Sequence, residues 1–404
     1  MRLVLAAEGT RGDIHPMLAF AERIEASGDE VLFCAPPDFE AVARARGLSF
    51  HPIGRDIRQF MTAEAHSLHG GALAMAKAAT TLLNENVGRQ FTDLCAAAEG
   101  CDGVLCAGTQ IAASSVAEHL GVPYRYILYD PILLRSEMHP PVLCRRPSLP
   151  RWVNRLLWRV QGRFLQLSLG RLVNRQRAGL GLAPTRDVYS LLLGKDPLLA
   201  AEERIAPVPP DAQPIRSIGC LHPFEERPLP EKLEAFLKAG PAPVYIGFGS
   251  MTDPDPRRST GLLLAAIERA GVRAIVSEGW AGLGGVSLPS DVEVVGVVDH
   301  STLFRRVAVV VHHGGAGTTT MAARCGVPQI LVPHVLDQFH WAARVQRLGV
   351  GPPPLARRKL TADGLARSLR AVCENEWLAD NAAKLGEELR ADLSRRGDPV
   401  EALI

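Results

Sequence analysis

Aromatic side chains make up only 5% of the 404 residues, and the eight cysteines are scattered, with no Cys-x-x-Cys pair among them. Cys101 and Cys106, the closest two, match the spacing of neither a zinc knuckle nor a redox dithiol. A reduced, cytoplasmic setting is therefore expected, and no metal cluster. Long apolar runs are missing as well: Met1–Ala7 meets Glu8 before reaching the length of a signal-peptide core, and no uncharged stretch is long enough to cross a bilayer. Charge of one sign is lacking, since the formal net charge is only +2. Nucleic acid rewards many clustered cations through counterion release, so it is not an expected partner. The Gly-x-Gly-x-x-Gly turn of dinucleotide enzymes is absent too, because Gly247-Phe248-Gly249 and Gly315-Ala316-Gly317 both lack the third glycine. Hydride transfer is disfavoured.

What is present alternates. Leu3–Ala7 reads as a strand, Pro16–Ser27 as a helix, Glu30–Ala35 as a strand, and Gly103–Cys106 and Tyr124–Leu128 as further buried strands. Seven prolines crowd residues 206–230, which excludes regular helix or central strand. Beyond them the alternation restarts, with strands at Val244–Phe248, Arg273–Val276, Val292–Val295, Ala308–Val311 and Gln329–Val332 and a helix at Thr318–Cys325. A chain of this length exceeds one ordinary core, so the pattern predicts two doubly wound parallel sheets.

Three stretches carry chemistry. After a β-branched strand come His312-His313, a Gly314-Gly315-Ala316-Gly317 loop and a helix opening at Thr318. Small residues admit a ligand close to the backbone, and free N–H groups at a helix start favour a phosphate. Gly247-Phe248-Gly249-Ser250-Met251 ends the first strand of the second half, where Ser250 offers a hydroxyl and an N–H. Gly9-Thr10-Arg11-Gly12-Asp13-Ile14-His15-Pro16 follows the first strand and places Arg11, Asp13 and His15 together. Plainer readings fit the same residues: glycine-rich turns beside a core histidine, Asp13 as a helix cap, and Asp337-Gln338 as solvated surface.

The run His313-x-Gly315-x-Gly317-Thr318, followed by Gly326-Val327-Pro328 and Asp337-Gln338, resembles the donor-binding signature of family 1 glycosyltransferases. The Gly9–Pro16 loop resembles the Gly-x-Arg-Gly-Asp-x-x-Pro turn of the sterol and glycopeptide branch. The likeness spans most of the chain and fades over residues 55–95 and 135–205. It implies the GT-B fold, two facing doubly wound Rossmann-like domains. Residues 1–205 would bind the acceptor, 206–230 would link, 231–375 would bind the nucleotide sugar, and 376–404 would form a helix returning to the first domain. It also implies an inverting, metal-independent hexosyl transfer from a UDP- or dTDP-sugar to a hydroxyl of a small, largely apolar acceptor such as a polyketide, macrolide or sterol. No cofactor beyond that sugar nucleotide is implied.

By the same resemblance His313, Gly315, Gly317, Thr318 and Ser250 would hold the diphosphate, with Arg11 and Gly12 beside the donor, and Asp337 and Gln338 would hold sugar hydroxyls. Asp13 stands where histidine-type relatives place their general base, with His15 the rival two residues on. Leu105–Thr109 offers no carboxylate to orient a histidine, which favours Asp13. The tryptophan and glutamate with which plant relatives hold the nucleoside are missing around Gly296–Val298 and at Met321, leaving uracil or thymine open. Trp280 near a strand end reads as core. A nucleotide-sugar epimerase or a non-catalytic partner protein of the same fold are the alternatives, and monomer or homodimer is left open.

Between Arg145 and Arg177 lie nine arginines and no acidic residue, interleaved with Trp152, Trp158, Phe164 and leucines at helical spacing. This suits an amphipathic helix with its apolar face inside, or one lying on an anionic membrane surface as a peripheral contact. The resemblance implies that this part of the chain helps wall the acceptor pocket.

Overall fold

A computed structural model describes residues 1–63, 72–222 and 227–402. The chain divides into two units. The first holds Met1–Glu203, Pro207–His222 and the chain from Gly397 on; the second holds Arg204–Ala206 and the described residues from 227 to Arg396.

In the first unit β1 (Arg2–Glu8), β2 (Glu30–Ala35), β3 (Ser49–Pro52), β4 (Gly103–Gly108), β5 (Tyr124–Leu128), β6 (Leu198–Leu199) and β7 (Arg216–Ser217) form one sheet in the order β3-β2-β1-β4-β5-β6-β7. Every pairing is parallel. Strand side chains alternate, and here both faces are covered: Val4 and Ala6 join one cluster with Val104 and Cys106, while Leu3, Leu5 and Ala7 join the other with Leu105 and Ala107. That explains near-continuous apolar strands. Order reverses between β1 and β4, opening a crevice at their C-terminal ends.

In the second unit β8 (Val244–Gly247), β9 (Ala274–Ser277), β10 (Val292–Val295), β11 (Val309–His312) and β12 (Gln329–Leu331) pair in parallel in the order β10-β9-β8-β11-β12. The reversal falls between β8 and β11, where Gly247 registers with His312 and His312 with Leu331. Tyr245, Ile275 and Val310 pack on one core with Leu303 and Phe304.

Three boundaries differ from those read in the sequence. The first helix runs Arg11–Ala26 and contains Pro16 rather than starting there. Thr10 is its N-cap, so the Arg11–Pro16 loop is itself the first turns of the helix. The stretch 206–230 is not a free linker. Residues 207–222 belong to the first unit, because β7 closes the edge of its sheet, where neighbouring prolines do no harm. Ile205 and Ala206 are buried in the second unit with Trp341 and Leu389; residues 223–226 lie outside the described residues. The C-terminal helix Glu376–Arg395 belongs to the second unit. It packs on the helix Ala316–Cys325, approaching so closely that a side chain on Gly386 would stand 2.8 Å from Gly326. Only the chain from Gly397 goes back, burying Val400 among the Leu3, Ile14 and Phe20 cluster.

Candidate active site

At the β1–β4 crevice the Asp13 loop is built by close approach. Gly9 has φ +147, and a Cβ there would lie 2.1 Å from Asp13 Oδ2; one on Gly108 would lie 1.9 Å from the Glu8 carbonyl oxygen and 3.4 Å from Asp13 Cβ. Glycine is required at both. Asp13 Oδ2 accepts the Thr10 N–H at 2.9 Å, the carboxylate half of a capping box, so its helix-capping role is real although Thr10 is the N-cap residue. Tyr129 donates its hydroxyl to the Asp13 carbonyl at 2.8 Å and Tyr126 to that of Gly108 at 2.7 Å. Burial pushes both phenols well above their ordinary range, so they stay protonated donors and fix the two turns against each other.

His15 lies half-buried on the next turn, edge-on to Phe39 with centroids 6.3 Å apart. Burial, with help from the charges of His222, Arg46 and Arg11, lowers its pKa to about 4. An imidazole held at that value loses the advantage that a pKa near neutrality gives a general base. Arg11 is half-buried at the helix start and Gly12 exposed.

Sequence reasoning missed Glu8. It ends β1 fully buried and accepts the Asn86 amide at 2.7 Å and the Gln90 amide, whose Oε1 in turn accepts the Ile111 N–H at 2.9 Å. Burial raises its pKa to about 7 despite those donors. The available signal was a charge closing an otherwise apolar strand.

In the second unit the predicted residues converge at the β8–β11 crevice. The His313 ring lies between two glycine turns: a Cβ on Gly249 would stand 3.0 Å from its Cε1, and one on Gly315 2.6 Å from its Nε2. Ser250, buried, follows Gly249 in that turn. The His313 Nδ1 is buried without a hydrogen-bond partner, and burial lowers the ring's pKa to about 3, so it is neutral at pH 7. Gly315 is the N-cap of the helix Ala316–Cys325 and brings no side-chain oxygen, leaving the N–H groups near Gly317 and Thr318 uncapped by it at the positive end of the helix dipole.

His312, not counted among the site residues in the sequence, sets this loop. Its Nδ1 accepts the Gly314 N–H at 3.1 Å, which leaves Nε2 to donate to Gln329 Oε1 at 2.9 Å. Trp280, read as core, is half-buried, and its N–H donates to the Gly249 carbonyl at 2.9 Å, so its backbone braces the Ser250 turn.

After β12 the chain passes Leu336, a non-glycine residue at φ 52, a strained conformation that presents Asp337. Asp337 Oδ2 accepts the Trp341 indole N–H at 3.1 Å, and burial raises its pKa to about 6. Gln338 holds the turns around it together. Its Oε1 accepts the His334 and Val335 N–H groups at 2.8 and 3.0 Å, and its amide reaches Met251 Sδ at 3.4 Å. These bonds tie the Asp337 turn to the Ser250 turn through the amide oxygen and one of the two amide N–H groups.

The glycosyltransferase family 28 N-terminal domain matches residues 3–129, and the C-terminal domain of erythromycin biosynthesis protein CIII-like proteins matches residues 266–399. Glycosyltransferase GtfE of Amycolatopsis orientalis is 39% identical over 360 residues, covering 87% of this chain and 85% of that one. The chain belongs to the GT-B glycosyltransferases of family 1. The vancomycin aglycone glucosyltransferase of the same organism is 38% identical, again over 87% and 85% of the two chains. Among solved structures, glycosyltransferase VinC in complex with dTDP overlays this glycosyltransferase with a TM-score of 0.71 at 22% identity, over 100% of this chain and 98% of that one, a likeness of fold.

Proposed function

We propose that this glycosyltransferase moves a hexose from a UDP- or dTDP-sugar to a hydroxyl of a small, largely apolar natural product, with inversion and without a metal. The observation that carries the reading is the unpartnered His313 Nδ1, buried between the Gly249 and Gly315 turns at an uncapped helix start. A diphosphate oxygen satisfies such a group, and the helix dipole balances part of its charge. Relatives support the substrates: one acts on the vancomycin aglycone, and VinC was solved with dTDP.

In the proposed step the Asp13 carboxylate takes the proton of the acceptor hydroxyl as its oxygen bonds to the anomeric carbon. The bond to the diphosphate breaks on the opposite face, and the diphosphate leaves with the electron pair. His313, Ser250 and the N–H groups at Gly315, Gly317 and Thr318 stabilise that growing charge, with Arg11 and Gly12 beside the donor. Asp337 accepts sugar hydroxyls. Asp13 is preferred to His15 because it stands at the base position of the resembling loop, and the depressed basicity of the imidazole removes the advantage a histidine would otherwise have.

The test is turnover of UDP- and dTDP-hexoses against sterols, macrolides and aromatic polyketides, read by mass, in the native protein and in Asp13→Asn. The asparagine keeps a cap acceptor for the Thr10 N–H but cannot take a proton, so kcat should fall by about 10²–10⁴-fold with donor affinity retained. Full activity in Asp13→Asn, with loss in His15→Gln at unchanged stability, hands the role to His15. Sugar epimerised without acceptor sinks the transferase reading.

A further inference from the structure

The helix Arg151–Gly179 has two apolar faces, and only one is used. Its inner face buries Asn154, Trp158, Leu169, Val173 and Arg177, and the helix packs beside the helices Ala72–Ala97 and Val188–Leu193. Trp158 donates to the His139 carbonyl at 3.1 Å, and Arg177 pairs with Glu118 at 2.9 Å. That is the amphipathic helix the sequence allowed. The outer face carries a second row, Trp152, Leu156, Val160, Phe164 and Leu167, all exposed, with Trp152 at 67% and Leu167 at 72%. Steps of four and three residues keep the row on one side of the helix for about 22 Å.

Beside this row runs another of the same spacing, Arg151, Arg155, Arg159 and Arg163, all exposed. These four line a groove of about 800 Å³ with Arg135 and Arg186. Six arginines there face three carboxylates, and the carboxylates are already engaged. Asp187 holds Arg135 through two bonds of 2.8 and 2.9 Å, Glu137 holds Arg155 at 2.6 Å, and Asp211 accepts Ser136 Oγ and the Glu137 N–H. Arg159, Arg163 and Arg186 form no ion pair among the described residues. Large apolar side chains left in water beside unneutralised guanidinium groups are the pattern of a helix lying in a bilayer interface, with rings and leucines among the acyl chains and arginines at the phosphates.

We infer that the outer face of the helix Arg151–Gly179 seats this protein on an anionic lipid bilayer, with the arginine-lined groove taking lipid phosphates. Charge complementarity selects this occupant. A second copy of the chain, docked face to face, would bring two such arginine rows together. No described helix is long and apolar enough to cross a membrane, so the contact is interfacial.

The experiment uses the full chain and sedimentation with vesicles of phosphatidylcholine, with and without phosphatidylglycerol. Binding is expected to the anionic vesicles only, falling as salt is raised. Arg159→Glu and Arg163→Glu should each lower the partition coefficient by at least about fivefold, the loss for one cation near such a surface. Trp152→Ser with Phe164→Ser should lower it by about tenfold or more, with the far-UV spectrum and melting temperature kept because neither side chain packs inside. Equal binding to both vesicle types, no binding at all, or variants that bind like the native chain overturns the inference. So does a concentration-dependent dimer in sedimentation velocity that Trp152→Ser dissolves, which assigns the face to a second copy.

Discussion

Glu8 shows how much one residue at a strand end can hold. Its folded pKa of about 7 stands above the ordinary 4.5, so the native state binds a proton more tightly than the unfolded chain. Its contribution is therefore fully present below about pH 4.5 and lost as pH rises through 7, by up to about 3 kcal/mol as an order of magnitude. Glu8→Gln should flatten the urea-unfolding free energy across that window and raise it at pH 8. The Asn86 Oδ1, without a partner now, can turn to accept the new amide. An unchanged pH slope would mean that Glu8 does not titrate there. Asp337 makes a parallel case at the donor site. With a pKa of about 6 it is ionised at pH 7, and a carboxylate accepts sugar hydroxyls better than a carboxyl. Donor KM should rise by about tenfold one pH unit below that value, and Asp337→Asn should remove the pH dependence. A native profile flat down to pH 5 would take Asp337 out of sugar reading.

Elements here are held by glycine contacts that a side chain would break. In Gly386→Ala the new Cβ would meet the Gly326 backbone at 2.8 Å, forcing the helices Glu376–Arg395 and Ala316–Cys325 apart. We expect a loss of about 1–3 kcal/mol in urea unfolding; native stability would show that the helices can shift at no cost. The resemblance implies a helix over 376–404 that returns to the first domain; the helix Glu376–Arg395 belongs to the second unit and the chain from Gly397 to the first. Long β-branched strands and the His313 and Asp13 loops were legible because each joins a period change to a glycine turn. Pro16 misplaced the first helix, since proline so often stands at a helix start. β6 and β7, two residues each, carry no periodicity to read. Glu8, Tyr126, Tyr129 and the His312–Gln329 bond escaped because their partners lie far away in sequence, which no local spacing reveals. The bonds by which Gln338 ties the two turns were not legible, because its partners His334, Val335 and Met251 are set by the fold and not by a motif.

At the scale of the molecule, each unit has its own parallel sheet, its own cores and its own crevice at a reversal of strand order. Of the groups proposed for the diphosphate and the sugar, those from Ser250 through His313 to Asp337 belong to the second unit, and Arg11 and Gly12 to the first. A ligand that binds only the native form stabilises by RT ln(1 + [L]/Kd), and it does so first in the cooperative unit that it contacts. Amide exchange of the native protein with dTDP or UDP at about 100-fold over Kd should therefore slow at Gly249–Met251, His313–Thr319 and His334–Gln338, by up to about a hundredfold in any unit that opens independently. His313→Ala should weaken that protection at the same nucleotide concentration, measured against the variant's own exchange without nucleotide, since the imidazole is a proposed diphosphate contact. Protection that appears only in the first unit, or that survives His313→Ala undiminished, would put the diphosphate elsewhere and leave the imidazole as packing between two glycine turns.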